Sequence, residues 1–181
     1  MRTRKADRHR ATDGSPASYP VESRAVETFA GIRVCCLLKG GLPVEIRLGD
    51  DAHADISAVP IVEMPQAMKT AFEQYFSGAA RNVELEVALH GGTPFERRVW
   101  QAAAAIPRGE TRSYGALAES LGKSAASARA VGSALRKNPF PLVYPCHRVV
   151  MSDGGLGGFS CGVDVKRRLL HLEGAYADRS G

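Results

Sequence analysis

Four cysteines in 181 residues, a single tryptophan and no long apolar run leave several protein classes without support. Cys35, Cys36, Cys146 and Cys161 form no Cys-x-x-Cys pair and no zinc-ligand spacing, and four thiols are few for a disulfide-stapled secreted scaffold. Reduced thiols, no metal site and no cofactor are the expectation. No stretch approaches the roughly 18 consecutive apolar residues of a membrane span, and the basic N-terminus lacks the apolar core of a secretory signal. A cytoplasmic protein with no membrane partner is expected. Charge of one sign is not dominant either, since the net is only +5, but it is unevenly placed. Residues 1–24 carry +3, residues 25–88 carry −4 and residues 89–177 carry +6. The basic excess of the last segment suits a polyanionic partner, nucleic acid first, although a solvated charged face gives the same count.

What is present is enough for one large or two small domains, with 44% hydrophobic residues. Residues 1–24 mix Arg, Asp, Ser, Pro and Gly without periodicity and read as a disordered basic arm. Ile32–Leu38 and Val44–Leu48 read as strands joined by turn chemistry at Gly40-Gly41, with Cys35 and Cys36 as packing residues. Helical spacing of Ala67, Met68, Ala71, Phe72, Tyr75 and Phe76 predicts an amphipathic helix over 65–76, stopped by Gly78. The alternation in 83–89 predicts another half-exposed strand. An α/β domain over 25–88 results, with a hinge at Gly91-Gly92.

Residues 89–177 read as a second, mainly helical domain. Thr93 at the N-cap, Pro94 at the first helical position and Glu96 three after the cap mark a helix start. Further helices are predicted over 114–121, 127–137 and 163–173. The pair around Gly122 fits a helix-turn-helix or an ordinary helical hairpin. Leu142–Tyr144 reads as extended, and the glycine-rich 154–162 as a wing, a pocket wall or a surface turn. Lys166, Arg167, Arg168, His171 and Glu173 of the last helix read as solvated positions.

The chemically distinctive stretch is Pro145-Cys146-His147-Arg148-Val149. A free thiol is only a few per cent ionised at neutral pH, so a reactive one needs a base or positive field nearby. His147 is that base in candidate form. Neighbouring residues of a strand face opposite ways, so the pair demands a backbone turn or a bridging water.

Taken together, Gly92-Thr93-Pro94-Phe95-Glu96-Arg97-Arg98-Val99-Trp100, Ser113-Tyr114, Ala128-Arg129-Ala130-Val131-Gly132, Asn138-Pro139, Pro145-Cys146-His147-Arg148-Val149 and Leu172-Glu173-Gly174 resemble the O(6)-alkylguanine-DNA alkyltransferases, also called methylated-DNA-protein-cysteine methyltransferases. The likeness runs in order over residues 91–176. It implies a ribonuclease-H-like α/β N-terminal domain and a winged helix-turn-helix-like C-terminal domain. It also implies DNA repair: a base carrying an O(6)-alkyl group, or O(4)-methylthymine, leaves the duplex and loses its alkyl group to Cys146, once per protein molecule. The resemblance makes Cys146 the acceptor, His147 its base through a water, Glu173 the orienter, Tyr114 the hydrogen-bond donor to the leaving guanine and Asn138 the brace of the active-site turn. Arg129 becomes the finger filling the vacated stack. Ala128, Ala130, Gly132 and Ser133 are the small residues admitting the helix to the minor groove, with Arg136 beside them. Tyr144, Val149, Phe159 and Ser160 are the implied pocket residues, the carbonyls of Cys146 and Val149 reading the exocyclic amine. The partner is double-stranded DNA bound by a monomer.

Phe159 stands where many members have tyrosine, Cys161 where glycine is common, Tyr144 where an aliphatic residue is usual and Leu172 where histidine often precedes the glutamate. None removes a catalytic group. His53 and His90 with Cys35 and Cys36 do not reproduce the zinc ligands of some members. Three other classes compete, of which a simple helix-turn-helix regulator would leave Cys146, His147 and Glu173 without a task. A non-catalytic damage binder would keep the arginine and lack Cys146. A cysteine hydrolase or redox protein would need an oxyanion pocket or a resolving thiol, for which only Cys161 is available nearby.

Overall fold

A computed structural model describes residues 21–50, 52 and 56–176; most of the basic arm and His53 lie outside them. Three strands open the chain, β1 (Ser23–Phe29), β2 (Ile32–Lys39) and β3 (Leu42–Leu48), each antiparallel to the next. A short β4 (Ile61–Val62) runs parallel to β1, giving the order β3-β2-β1-β4. The central strand β2 is buried on both faces, which explains its unbroken Val34-Cys35-Cys36-Leu37-Leu38 run. Ile32, Val34, Cys36 and Leu38 face helix α1 (Gln66–Phe76), whereas Cys35 and Leu37 pack with Val44, Ala52 and Ile56 on the other side. All four cysteines are free.

Three expectations change. The arm ends earlier than residue 24, because Ser23 and Arg24 pair with Leu38 and Leu37; such pairing is non-local and leaves little trace in composition. Residues 83–89 form no ladder. Their alternation sets which side chains turn inward, with Val83 buried and Glu84 exposed. The free edge of β3, however, is met by isolated backbone bonds, Ala88 N–H to Pro43 O and Ile46 N–H to Pro139 O. Leu142–Tyr144 is a turn, closed by Tyr144 N–H donating to Phe140 O at 2.9 Å.

The second half is helical: α2 (Pro94–Ala104), α3 (Tyr114–Ser120), α4 (Ala128–Arg136) and α5 (Val163–Leu172), with a two-stranded parallel pair of β5 (Arg112–Ser113) and β6 (Val149–Val150). The start of α2 carries the full reciprocal cap. Thr93 Oγ1 accepts from Glu96 N–H at 3.2 Å and Glu96 Oε2 accepts from Thr93 N–H at 2.7 Å, which stabilises by about 1 kcal/mol. Just before it, Gly92 sits at φ +74°, and a Cβ there would lie 2.6 Å from the Trp100 ring. Trp100 is the anchor of this half. It is buried with Val99, Leu117, Val131 and Leu135, and its indole N–H donates to Ala134 O at 2.8 Å, tying α2 to α4. Phe140, Leu142, Val165 and Leu169 join the core beneath the first sheet, so the chain after α4 runs between the two cores. No helix among the described residues is long and apolar enough to cross a membrane.

Candidate active site

Asn138 ends the stop after α4 and organises the turn that leads to Cys146. Its Oδ1 accepts from Phe140 N–H at 3.0 Å, while its Nδ2 donates to Tyr144 O at 2.7 Å and to Cys146 Sγ at 3.1 Å. Pro145, at φ −73° and ψ 67°, makes a tight reverse turn closed by Cys146 N–H to Tyr144 O at 2.7 Å. Upstream, Leu142 is held at φ +80° although it carries a full side chain, and is wholly buried. A left-handed non-glycine residue costs about 1–3 kcal/mol and persists only where packing over-determines it. Residues Cys146–Arg148 then form a single 3₁₀ turn, which supplies the non-strand geometry that the adjacent thiol and imidazole require.

The turn points its three side chains to three fates. Cys146 faces a cavity of about 890 Å³ lined also by Tyr114, Ala128, Arg129, Gly132, Ser133, Leu135, Arg136, Met151, Gly157, Gly158, Phe159 and Ser160. Burial pushes its thiol up to about 12, against the opposing pull of the Asn138 hydrogen bond; the resting side chain is therefore a thiol. His147 is fully buried, and its Nε2 lies 3.0 Å from Glu173 Oε1. Burial lowers its proton affinity, with Glu173 pulling the other way. For Glu173, burial alone would favour the acid, but hydrogen bonds from His147, Arg148 and Tyr75 hold it below the usual carboxylate range. An ionised carboxylate only accepts, so Nε2 carries the proton and donates. His147 Nδ1, buried and without a partner among the described residues, is then the basic nitrogen.

Arg148 is fully buried as well. Its Nε and Nη2 donate to the two oxygens of Glu173 at 2.9 Å each, and its remaining donors reach Ile106 O at 2.6 Å, Asn82 Oδ1 at 2.7 Å and Arg81 O at 2.9 Å. From α1, Tyr75 OH donates to Glu173 Oε1 at 2.6 Å. The carboxylate thus accepts from three side chains drawn from both halves of the chain.

Most residues singled out from the sequence converge here. Cys146, Tyr114, Phe159 and Ser160 line the cavity; Ala128, Arg129, Gly132, Ser133 and Arg136 line its α4 wall. Asn138, His147 and Glu173 stand behind Cys146. Ala130 points to solvent, outside the cavity lining. Tyr144 stacks on Trp100 at 6.2 Å between centroids, and Val149 is wholly buried; neither lines the cavity. The glycine-rich loop is a cavity wall, with Tyr114 OH donating to Gly158 O at 3.3 Å.

Lys166 and Glu173 correct the solvated reading of α5. Lys166 is wholly buried and Glu173 nearly so. Lys166 Nζ donates to Val149 O at 2.6 Å and lies 5.8 Å from the Tyr114 ring centroid; burial draws its affinity down to about 8. Sequence reasoning also passed over Tyr75 and the reach of Arg148. The available signals were a tyrosine on a buried helix face, whose hydroxyl needs a partner, and an arginine directly before the apolar Val149-Val150 pair. Among the described residues no three His, Cys, Asp or Glu side chains converge as a metal site.

A thiol at the floor of an open cavity, a neutral imidazole fixed by a buried carboxylate and an arginine-bearing helix at the rim define a cysteine-based group acceptor. Comparison with known proteins narrows the class. Residues 94–175 match the family model described as the DNA-binding domain of 6-O-methylguanine DNA methyltransferase. A methylated-DNA-protein-cysteine methyltransferase of Mycolicibacterium paratuberculosis is 41% identical over 165 residues, covering 88% of this chain and 96% of the relative. A Mycobacterium tuberculosis O6-methylguanine methyltransferase crystal structure superposes with a TM-score of 0.72 at 30% identity, covering 87% of this chain and 96% of that one. The structure of the M. tuberculosis OGT in complex with DNA gives 0.71 at 31% identity, covering 84% and 93%. The chain belongs to the methylated-DNA-protein-cysteine methyltransferase family.

Proposed function

We propose that this protein repairs alkylated DNA by moving the alkyl group of O(6)-methylguanine, and of O(4)-methylthymine, irreversibly onto Cys146. The observation that carries the reading is the Cys146 Sγ on the floor of the cavity, backed by Asn138, with α4 as the adjacent wall.

The substrate base is too deep in a duplex to meet a buried sulfur, so it must leave the stack. Arg129, exposed on α4 at the cavity rim, fills the vacated space, and the small Ala128, Gly132 and Ser133 let the helix approach a minor groove. In the chemical step the Cys146 proton passes through a water to His147 Nδ1. The sulfur attacks the alkyl carbon, an S–C bond forms, the C–O bond breaks and its electron pair stays on the guanine. Glu173 stabilises the imidazolium. Tyr114 exchanges its bond to Gly158 O for one to the departing base, shielding charge that would otherwise develop in a dry pocket. The product is a thioether, which offers no leaving group, so each molecule acts once.

The same reading takes residues 25–88 as a ribonuclease-H-like domain and 89–177 as a winged helix-turn-helix-like domain of a cytoplasmic monomer, preceded by the arm. The presence of Cys146 speaks against a pure damage binder. Titration with excess duplex bearing a radiolabelled O(6)-methyl group tests the proposal. One label per protein molecule is expected, with none for Cys146→Ala. Continued turnover would point to a hydrolase instead.

A further inference from the structure

We infer that Tyr75, on a helix of the first half of the chain, is a positioning residue for alkyl transfer, its hydroxyl fixing Glu173 and thereby setting how readily His147 takes a proton. The inference rests on the proposed role of His147 as the base for Cys146.

Tyr75 is fully buried on α1, where the ring packs edge-on against Phe76. Its hydroxyl has one short bond, to Glu173 Oε1 at 2.6 Å, and lies 3.5 Å from His147 Nε2. Oε1 is the oxygen that also receives His147 Nε2–H at 3.0 Å and one Arg148 Nη2 donor at 2.9 Å. Three donors on one oxygen leave the carboxylate a single orientation, with its bond to His147 fixed and Nδ1 turned away from Glu173. The hydroxyl also draws charge from the oxygen that must balance the imidazolium. Removing it leaves Glu173 more negative toward His147 and the imidazole more easily protonated, so His147 would spend more time as the cation, which cannot accept the Cys146 proton.

The charged and titratable groups facing this cluster are few. Glu173, Arg148 and Lys166 act on His147; Glu173, Arg148 and Arg108 act on Tyr75. Arg108 lies over the Tyr75 ring at 4.8 Å, donates to Tyr75 O at 3.1 Å and to Leu172 O at 3.2 Å, and so joins α1 to the end of α5 beside Glu173. The cationic groups stay in place when the hydroxyl alone is deleted.

Tyr75→Phe keeps the ring, its packing and the Arg108 contact. His147 is titrated by imidazole NMR in the free full-length protein and its variant, and the rate of single-turnover methyl transfer from a duplex is followed against pH. The His147 midpoint is expected to rise by about half to one pH unit, the shift that one hydrogen bond of ordinary net strength gives. The acid limb of the transfer rate should rise with it, so that below the limb the rate falls roughly 3–10-fold while the alkaline plateau changes little. An unmoved His147 midpoint, or a rate lowered equally at every pH, overturns the inference. A shifted midpoint in Tyr75→Phe, with a parent protein that transfers no methyl group, would uphold the Tyr75 coupling and refute the repair function instead.

Discussion

Arg148→Met removes the guanidinium that joins the site to the rest of the molecule while keeping an unbranched apolar stem of similar bulk. Five of its donor contacts disappear together: two to Glu173 and one each to Ile106 O, Asn82 Oδ1 and Arg81 O. Glu173 then stays buried with only His147 and Tyr75 as donors. Taking one partner from a buried ion pair costs about 3–5 kcal/mol, because the other charge is left uncompensated. For a chain of this length that is a fall in melting temperature of roughly 6–20 °C. The pH dependence separates this cause from simple loss of packing. In the parent, Glu173 is held below the unfolded carboxylate value of about 4.3. Its stabilisation is therefore present above that pH and lost as pH falls through the folded value. In the variant the carboxylate is no longer held down, so the stability gap is full at pH 7 and narrows as pH falls below about 4.3. Urea unfolding of both proteins at pH 7 and at pH 3.5 measures it. A gap under 1 kcal/mol at pH 7, or an equal gap at both pH values, would refute the reasoning.

Methylation of Cys146 should lower stability, since the residue is 4% exposed and its sulfur receives the Asn138 bond; overpacking of such a site costs roughly 1–3 kcal/mol, and thermal unfolding after complete reaction would reveal it. Arg129→Ala should slow transfer from duplex DNA at least 10-fold but leave transfer from the free base O(6)-methylguanine nearly unchanged, as single-turnover rates on the two substrates would establish. Gly92→Ala should cost more than 1 kcal/mol in urea unfolding, because it combines a left-handed φ with a Cβ 2.6 Å from the Trp100 ring.

Local rules carried much of the fold in readable form. The α2 cap is written in Thr93, Pro94 and Glu96 and is realised with both reciprocal bonds; α1 follows its apolar spacing, and the β2–β3 hairpin follows Gly40-Gly41. The features that escaped depend on partners distant in sequence. Strand β1 exists because β2 offers it a full antiparallel register, and the 83–89 segment lacks a ladder because the β3 edge gives it a single bond. In the site, Cys146, His147, Asn138 and Glu173 were legible through the motifs and their order. Lys166 was not, since a lysine on an amphipathic helix reads as solvent-facing until Val149 O and the Tyr114 ring are seen around it. Tyr75 reads as core for the same reason: its hydroxyl finds Glu173 98 residues away.

The Cys146 sulfur is the proposed alkyl acceptor. Incubation with a duplex holding one O(6)-methylguanine, followed by intact-mass and peptide mass spectrometry, tests this role most directly. A single methyl increment confined to the peptide of Cys146, and absent from Cys146→Ala, is expected. Tight binding to the lesion with no increment, or a methyl group on Cys161, Cys35 or Cys36, would contradict it.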